Sequence, residues 1–257
     1  MLPLMYGQRF FWYRYISMKI LFENRDLLVI NKPAGLMVHG DGKRGDPTLV
    51  DWILKEQPEI VGVGEPMEVD GKIFDRPGIV HRLDEETSGA LLIAKNQETF
   101  LFLKQQFQSH TIQKEYHAFV WGTFKEQAGI VDEPIGRNLN DFRRWHAGRG
   151  TRGALREAET KWEVVGTVEE NGEHFSFMHL FPKTGRTHQL RVHMKFLQHP
   201  IVADSLYAQR KPKGLGFERL ALHARSVTFL LPNGEQKTVT APYPEDFEDA
   251  IARTALL

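Results

Sequence analysis

The chain contains no cysteine. This removes disulfides, zinc–thiolate sites and every mechanism built on a thiolate nucleophile. Nor is there an excess of either charge: 33 Lys and Arg balance 33 Asp and Glu over 257 residues. A nucleic-acid partner must then be gripped by local clusters of basic side chains, because overall charge supplies no attraction. Long apolar runs are missing as well. No stretch approaches the roughly 18 consecutive apolar residues of a membrane span, and the aromatic-rich start, Phe10 to Ile16, is interrupted by Arg14. A cytoplasmic chain without membrane contact is expected. Internal repeats and low-complexity tracts are also lacking.

With 41% hydrophobic residues the chain is long enough to bury a sizeable core in one large domain or two small ones. Residues 1–17 have neither a clean apolar signal core nor helix punctuation, whereas strand-like alternation begins right after Met18. Residues 1–17 are read as an N-terminal extension that need not be the native start, and residues 18–257 as one domain.

Apolar runs at Lys19 to Phe22 and Leu27 to Ile30, separated by Glu23-Asn24-Arg25-Asp26, predict a β-hairpin. Thr48 can cap a short helix to about Glu56, and Val61 to Pro77, rich in Gly, Pro and charge, reads as a loop. Leu91 to Ala94 is strand-like. Asn96 then caps a helix with Phe100, Leu103 and Phe107 on one face. Lys114 to Trp121 alternates, placing Lys114 and Tyr116 on one face and Glu115 and His117 on the other, either of which can line a cleft. Arg137 to Arg156 shows no period and holds Arg137, Arg143, Arg144, Arg149, Arg152 and Arg156 with Trp145 and His146. Strands at about Glu159 to Val168 and His174 to Phe181 flank an Asn171-Gly172 turn, and a later pair, Ser226 to Leu231 and Gln236 to Thr240, turns at Pro232-Asn233-Gly234. Strands dominate. The expected class is α+β, a bent, mixed, mainly antiparallel sheet with peripheral helices.

Two segments can carry chemistry. The first, Gly78 to Gly89, contains His81-Arg82-Leu83-Asp84 followed by Thr87-Ser88-Gly89. Composition alone allows Asp84 to be a turn cap paired with Arg82. The second, Pro182 to Met194, contains Thr184-Gly185-Arg186-Thr187-His188-Gln189-Leu190-Arg191-Val192-His193. Continued as a helix to Leu197, it places His188, Arg191 and Lys195 on a basic stripe and Leu190, Met194 and Leu197 on an apolar one. Eleven histidines raise the question of a metal, particularly His188, His193 and His199. Their spacings do not put ligands on one helical face, so no metal is expected.

Together these segments resemble the signatures of the RluA family of pseudouridine synthases. Further matches are Asn31-Lys32-Pro33-Ala34-Gly35 with His39, Lys114-Glu115-Tyr116, His199-Pro200-Ile201 with Asp204 and Tyr207, and Leu222-His223-Ala224. The resemblance runs in family order from about Lys19 to Ala241. It implies an RNA-modifying isomerase whose catalytic domain is residues 18–257, acting on uridine in structured RNA, ribosomal or transfer. No cofactor or metal is required, because the base is detached, turned and rejoined through carbon without net redox change.

The resemblance assigns the catalytic carboxylate to Asp84, as nucleophile or general base. Arg191 becomes its charge partner, and Tyr116 a ring that stacks on uracil and takes part in proton movement. Arg82 is expected to contact RNA rearranged around the extruded base, against the alternative of a salt bridge to an acidic neighbour. His81, Thr87, Arg186, His188 and Leu222 are expected at the substrate, and the resemblance implies a monomer. The chain departs from the family in carrying Glu85 and Glu86 after Asp84, where many relatives have a basic residue. It also has Ala203 where glycine usually precedes Asp204, and nothing resembles the accessory N-terminal RNA-binding domain of many relatives. The alternatives weighed are a non-catalytic RNA-binding or chaperoning protein on the same fold, and a metal-assisted hydrolase working through histidines.

Overall fold

The computed structural model describes residues 18–40, 45–69, 71–148 and 150–257. The reading of residues 1–17, and Arg149, lie outside them. In chain order the strands are β1 (Lys19–Glu23), β2 (Leu27–Lys32), β3 (Met67–Val69), β4 (Lys72–Phe74), β5 (Ser88–Ala94), β6 (Gln113–Trp121), β7 (Ala128–Asp132), β8 (Ile135–Asn138), β9 (Trp145–Ala147), β10 (Thr151–Arg156), β11 (Glu159–Glu170), β12 (Glu173–Pro182), β13 (Leu222–Leu230), β14 (Gln236–Thr240) and β15 (Ala255–Leu256). The helices are α1 (Leu49–Glu56), α2 (Gln97–Gln108), α3 (Gln189–Phe196) and α4 (Glu245–Ala252).

The main sheet runs β1-β2-β5-β13-β6-β12-β11-β15, with β14 beside β13 and β7 beside β11. It is antiparallel except where β5 meets β13 in parallel, so the expected mixed, mainly antiparallel α+β architecture is the one found. At the β2–β5 end both faces are buried. Leu28, Ile30, Leu91 and Ile93 pack with Leu49 and Ile53 of α1 on one side, while Leu27, Val29, Leu92 and Ala94 pack with Phe100 and Leu103 of α2 on the other. Period-2 alternation thus splits two strands between two cores. Helix α1 is closed by a capping box between Thr48 and Asp51, and α2 by the Asn96 side chain accepting from the Thr99 N–H at 2.9 Å. The third core joins Phe119, Phe175, Phe177 and Met178 to Leu190 and Met194 of α3 and Phe247 of α4.

Three local expectations need correction. The segment Val61 to Pro77 contains the short hairpin β3–β4, too brief to leave a period. Arg137 to Arg156 is not a structureless loop: β8, β9 and β10 form a separate three-stranded sheet. Its strands of three to six residues are exposed along β10 and interrupted by Gly148, Gly150 and Gly153, so alternation is lost. Finally, the second signature is helical only from Gln189, because His188 has φ 57° and ends the preceding turn in a left-handed conformation.

Candidate active site

The turn bearing Asp84 precedes β5. Ile79 bridges to Ile93, and the Thr87 N–H donates to the Asp84 carbonyl at 3.1 Å. Gly89 sits at φ 115°, where a Cβ would lie 2.2 Å from the Ala224 carbonyl oxygen. Only glycine lets β5 approach β13 here, which accounts for the Thr-Ser-Gly spacing after Asp84. Behind the turn the fully buried Lys32 ammonium donates to the Pro33 and Leu36 carbonyls at 2.8 Å and to Glu85 at 3.1 Å. Burial pulls its pKa down to about 7, opposed by the charge of Asp84. The Asn31-Lys32-Pro33 segment is thereby tied to the Asp84 loop through the bonds of a buried lysine.

Helix α3 carries Arg191, and its entry is clamped by Gln189. The Gln189 Oε1 accepts from Thr184 Oγ1 at 2.6 Å and from the Arg186 N–H at 3.0 Å, while its Nε2 donates to the Glu159 carbonyl at 2.9 Å. Arg191 is buried and uses one edge on Asp204: Nε and Nη2 donate to the two carboxylate oxygens at 2.8 Å each. Its Nη1 reaches Asp84 Oδ2 at 3.2 Å. Asp204 is itself fixed by the Leu206 and Tyr207 N–H groups, both at 2.9 Å. Burial works against the Arg191 charge, but the bonds to Asp204, and after them the charge of Asp84, hold its pKa above the ordinary arginine value. The guanidinium is therefore a permanent positive charge, anchored by one carboxylate and offered to the other. Asp84 keeps some solvent exposure, receives one bond from Arg191 and lines a pocket.

That pocket is lined by Arg82, Asp84, Thr87, Lys114, Tyr116, Arg186, His188, Arg191 and Leu222 among others. The face of β6 that borders it is the one carrying Lys114 and Tyr116. Burial first, and the Asp84 charge second, push the Tyr116 hydroxyl pKa up, so it is an intact phenol at neutral pH. The Lys114 ammonium donates to the Thr184 carbonyl at 2.9 Å, and burial lowers its pKa to about 8. Arg82 borders this pocket and two neighbouring grooves, one with His39, Glu86, Arg143 and Ser205, the other with Arg76, Lys104 and His110. Its Nη1 donates to His39 Nε2 at 3.1 Å, and burial followed by the Arg82 charge lowers the His39 pKa. The imidazole is thus a neutral acceptor holding an exposed arginine.

Of the anticipated site residues, Asp84, Tyr116, Arg191, Arg82, Thr87, Arg186, His188 and Leu222 meet at this pocket. His81 stands back from this pocket but lines the groove beside it with Arg82, Lys114, Tyr116 and Arg186: its Nε2 accepts from the Leu92 N–H at 2.9 Å, the ring stacks on Phe107 at 4.7 Å, and burial drives its pKa to about 3. His188 lies 3.9 Å from Asp84 Oδ2 and bonds the Tyr207 hydroxyl at 3.0 Å; that hydroxyl also accepts from the Trp145 N–H at 2.9 Å. The small arginine-bearing sheet is in this way docked against the site. His193 is engaged by Thr160 and the Glu133 carbonyl, and His199 by the Trp121 carbonyl, so the three histidines considered for a metal occupy three different places. The anchoring of Arg191 by Asp204, the support of Arg82 by His39 and the presence of Lys114 in the pocket were not legible beforehand, although each residue lies within a quoted motif.

Residues 26–196 match the family model described as RNA pseudouridylate synthase. The chain is 38% identical over 91% of its length to an uncharacterized RNA pseudouridine synthase of Synechocystis, of which 68% is covered. It is 36% identical over 92% of its length to the ribosomal large subunit pseudouridine synthase D of Yersinia pestis, of which 70% is covered. Among solved structures, human RNA pseudouridylate synthase domain containing 4 superposes with a TM-score of 0.70 at 27% identity, covering 97% of both chains. The human domain-containing 1 protein gives 0.71 at 26% identity, covering 94% of this chain and 89% of that one.

Proposed function

On the premise that this chain belongs to the RNA pseudouridylate synthase family and is an RNA pseudouridine synthase, we propose that Asp84 is its catalytic carboxylate, with Arg191 and Tyr116 as working partners. The observation that carries this reading is the convergence of Asp84, Tyr116 and Arg191, from three distant segments, on one pocket with the Arg191 charge 3.2 Å from Asp84. The isomerisation breaks the bond from ribose C1′ to uracil N1, turns the base and joins C1′ to C5. The C5 proton departs, and N1 ends protonated. Neither electrons nor a group leave the nucleotide, so no cofactor or metal enters the balance. Asp84, beside the sugar or the base, acts as nucleophile or as general base, and later the C5 proton must be taken up. Tyr116, held un-ionised, stacks on the base and relays that proton: its oxygen accepts from C5 as its own O–H proton passes to the Asp84 carboxylate, and from there to N1 or to solvent.

The target uridine must leave its stack to reach Asp84, at a cost of about a few kcal/mol. Arg82, at the meeting of three grooves, occupies the space vacated in the RNA, with His39 setting its direction. Lys114, Arg186 and the arginines of the β8–β10 sheet supply phosphate contacts. RNA is the substrate class. Within it we infer ribosomal or transfer RNA, acted on in the cytoplasm by a monomer whose catalytic domain is residues 18–257. Pseudouridine mapping of total RNA tests the assignment: sites present with the wild-type gene vanish both in its absence and with Asp84→Asn. Sites that persist with Asp84→Asn would remove Asp84 from the catalytic role.

A further inference from the structure

The side of β6 turned away from the pocket carries Glu115 and His117, two residues apart and hence on one face. His179 of β12 is the direct cross-strand partner of His117, and Glu163 of β11 is the partner of His179. The ligand atoms of Glu115, His117 and His179 lie within 4.8 Å of one another. His117 Nε2 is 2.9 Å and His179 Nδ1 3.8 Å from the same oxygen, Glu115 Oε1. We propose that Glu115, His117 and His179 form a binding site for a divalent metal of zinc's class on the face of the sheet opposite Tyr116.

Two imidazole nitrogens and one carboxylate oxygen are the donor set that suits such an ion, with a fourth position left to water. Two of the three ligands, His117 and Glu115, are already held from behind. The other ring nitrogen of His117 bonds the Tyr243 hydroxyl at 2.6 Å, and Ser226 Oγ donates to the second Glu115 oxygen at 2.8 Å. Burial above all keeps both imidazoles below their ordinary pKa, to about 4 for His117. The Glu115 carboxylate is opposed by burial yet held below its usual range by its bonds to His117 and Ser226.

Without metal, the place between His117 and Glu115 is taken by the Nε2 proton. On binding, that proton is exchanged for one on Nδ1, which then donates to the Tyr243 oxygen, so the imidazole remains neutral. The two rings stack 3.7 Å apart and 8° from parallel, whereas a shared metal must lie in both ring planes. His117 is 4% exposed and pinned at both nitrogens. His179, at 26%, has room to swing and open the pair. Arg225, over the Tyr243 ring at 4.1 Å, is a nearby charge opposing a cation, and Glu163, paired with Lys161 at 2.7 Å, partly offsets it.

The test uses the full chain without an affinity tag, stripped by chelator. Zn²⁺ is titrated by calorimetry, and Co²⁺ by the visible absorption that imidazole ligation produces. One ion should bind per chain, and His179→Ala and Glu115→Gln should each weaken binding at least tenfold, whereas His174→Ala, a histidine at the far end of β12, should leave it unchanged. No binding by the wild type, or binding that His179→Ala leaves intact, would overturn the proposal. Since neither readout involves RNA, its failure would leave the assignment of Asp84 standing.

Discussion

On one face of β6, Lys114 and Tyr116 look into a pocket where Asp84 faces a permanently charged Arg191. On the other, Glu115 and His117 enter a cluster whose histidines burial keeps neutral. One strand thus separates two polar sites of opposite electrostatic design. In the pocket the cation bonded to Asp84 is an arginine, which cannot shed its proton, and its cost is offset by a second carboxylate, Asp204. Behind the strand the bases are histidines, which can. The charge that faces Asp84 holds at any working pH, whereas the rear cluster takes up protons only in acid.

Substitutions in the pocket should cut activity most deeply. Asp84→Asn is expected to lower single-turnover pseudouridine formation by about 10⁴-fold or more, the upper range for a group acting on the reacting bonds, while RNA binding in a filter assay stays within a few-fold. Arg191→Ala leaves Asp204 buried and unpaired. Breaking such a pair costs about 3–5 kcal/mol, read as a denaturant midpoint shift, and activity falls with it. Equal stability of this variant and the wild type would contradict the anchoring role of Asp204. Arg82→Ala should reduce kcat/KM about ten- to a hundred-fold, the loss of charge-assisted contacts of about 1.5–3 kcal/mol, with the fold intact. His39→Gln, which keeps an acceptor, should lose less than His39→Ala.

The rear face should show itself in acid. The folded pKa of His117 is about 4 against an ordinary 6.5, and that of His81, stacked on Phe107 of α2, is about 3. Between those values and 6.5 the unfolded chain binds more protons than the native one, so stability falls as pH drops through that window and is fully present above it. His117→Asn should flatten the slope of stability against pH between about 6.5 and 4 while hardly altering activity at neutral pH. An unchanged slope would show that other histidines carry the effect. The smallest effect lies at Ala203, whose φ of 55° is left-handed. Glycine is the usual residue there in the resembling family, and the backbone explains it. Ala203→Gly should stabilise the chain by about 1 kcal/mol, the left-handed penalty less the entropy glycine restores to the unfolded state.

Much of the fold was legible because it rests on local signals. The Thr48 and Asn96 caps and the alternation of β2, β5 and β6 are of this kind, as is the Asn171-Gly172 turn, whose residues both have positive φ. The β8–β10 sheet was not, because short strands broken by glycines leave no period. The pocket was legible only through its order of motifs: composition left Asp84 as a turn cap, and His81, two residues upstream of Leu83, stacks on Phe107 in the neighbouring groove.

By itself the sequence determined which residue types were available: a carboxylate after His-Arg-Leu, an arginine and histidines in a second signature, no thiol, and strands enough for a mainly antiparallel sheet. What only the tertiary structure decided is pairing. That Arg191 spends two bonds on Asp204 and one on Asp84, and that His39 holds Arg82, follows from elements 13 to 107 residues apart being brought together. That His117 meets His179 follows from the register of β6 on β12. Alternation along a strand says which side chains share a face. Which of the two faces becomes the pocket depends on where α3 and the Asp84 turn pack, and burial then sets whether each group there is charged or neutral.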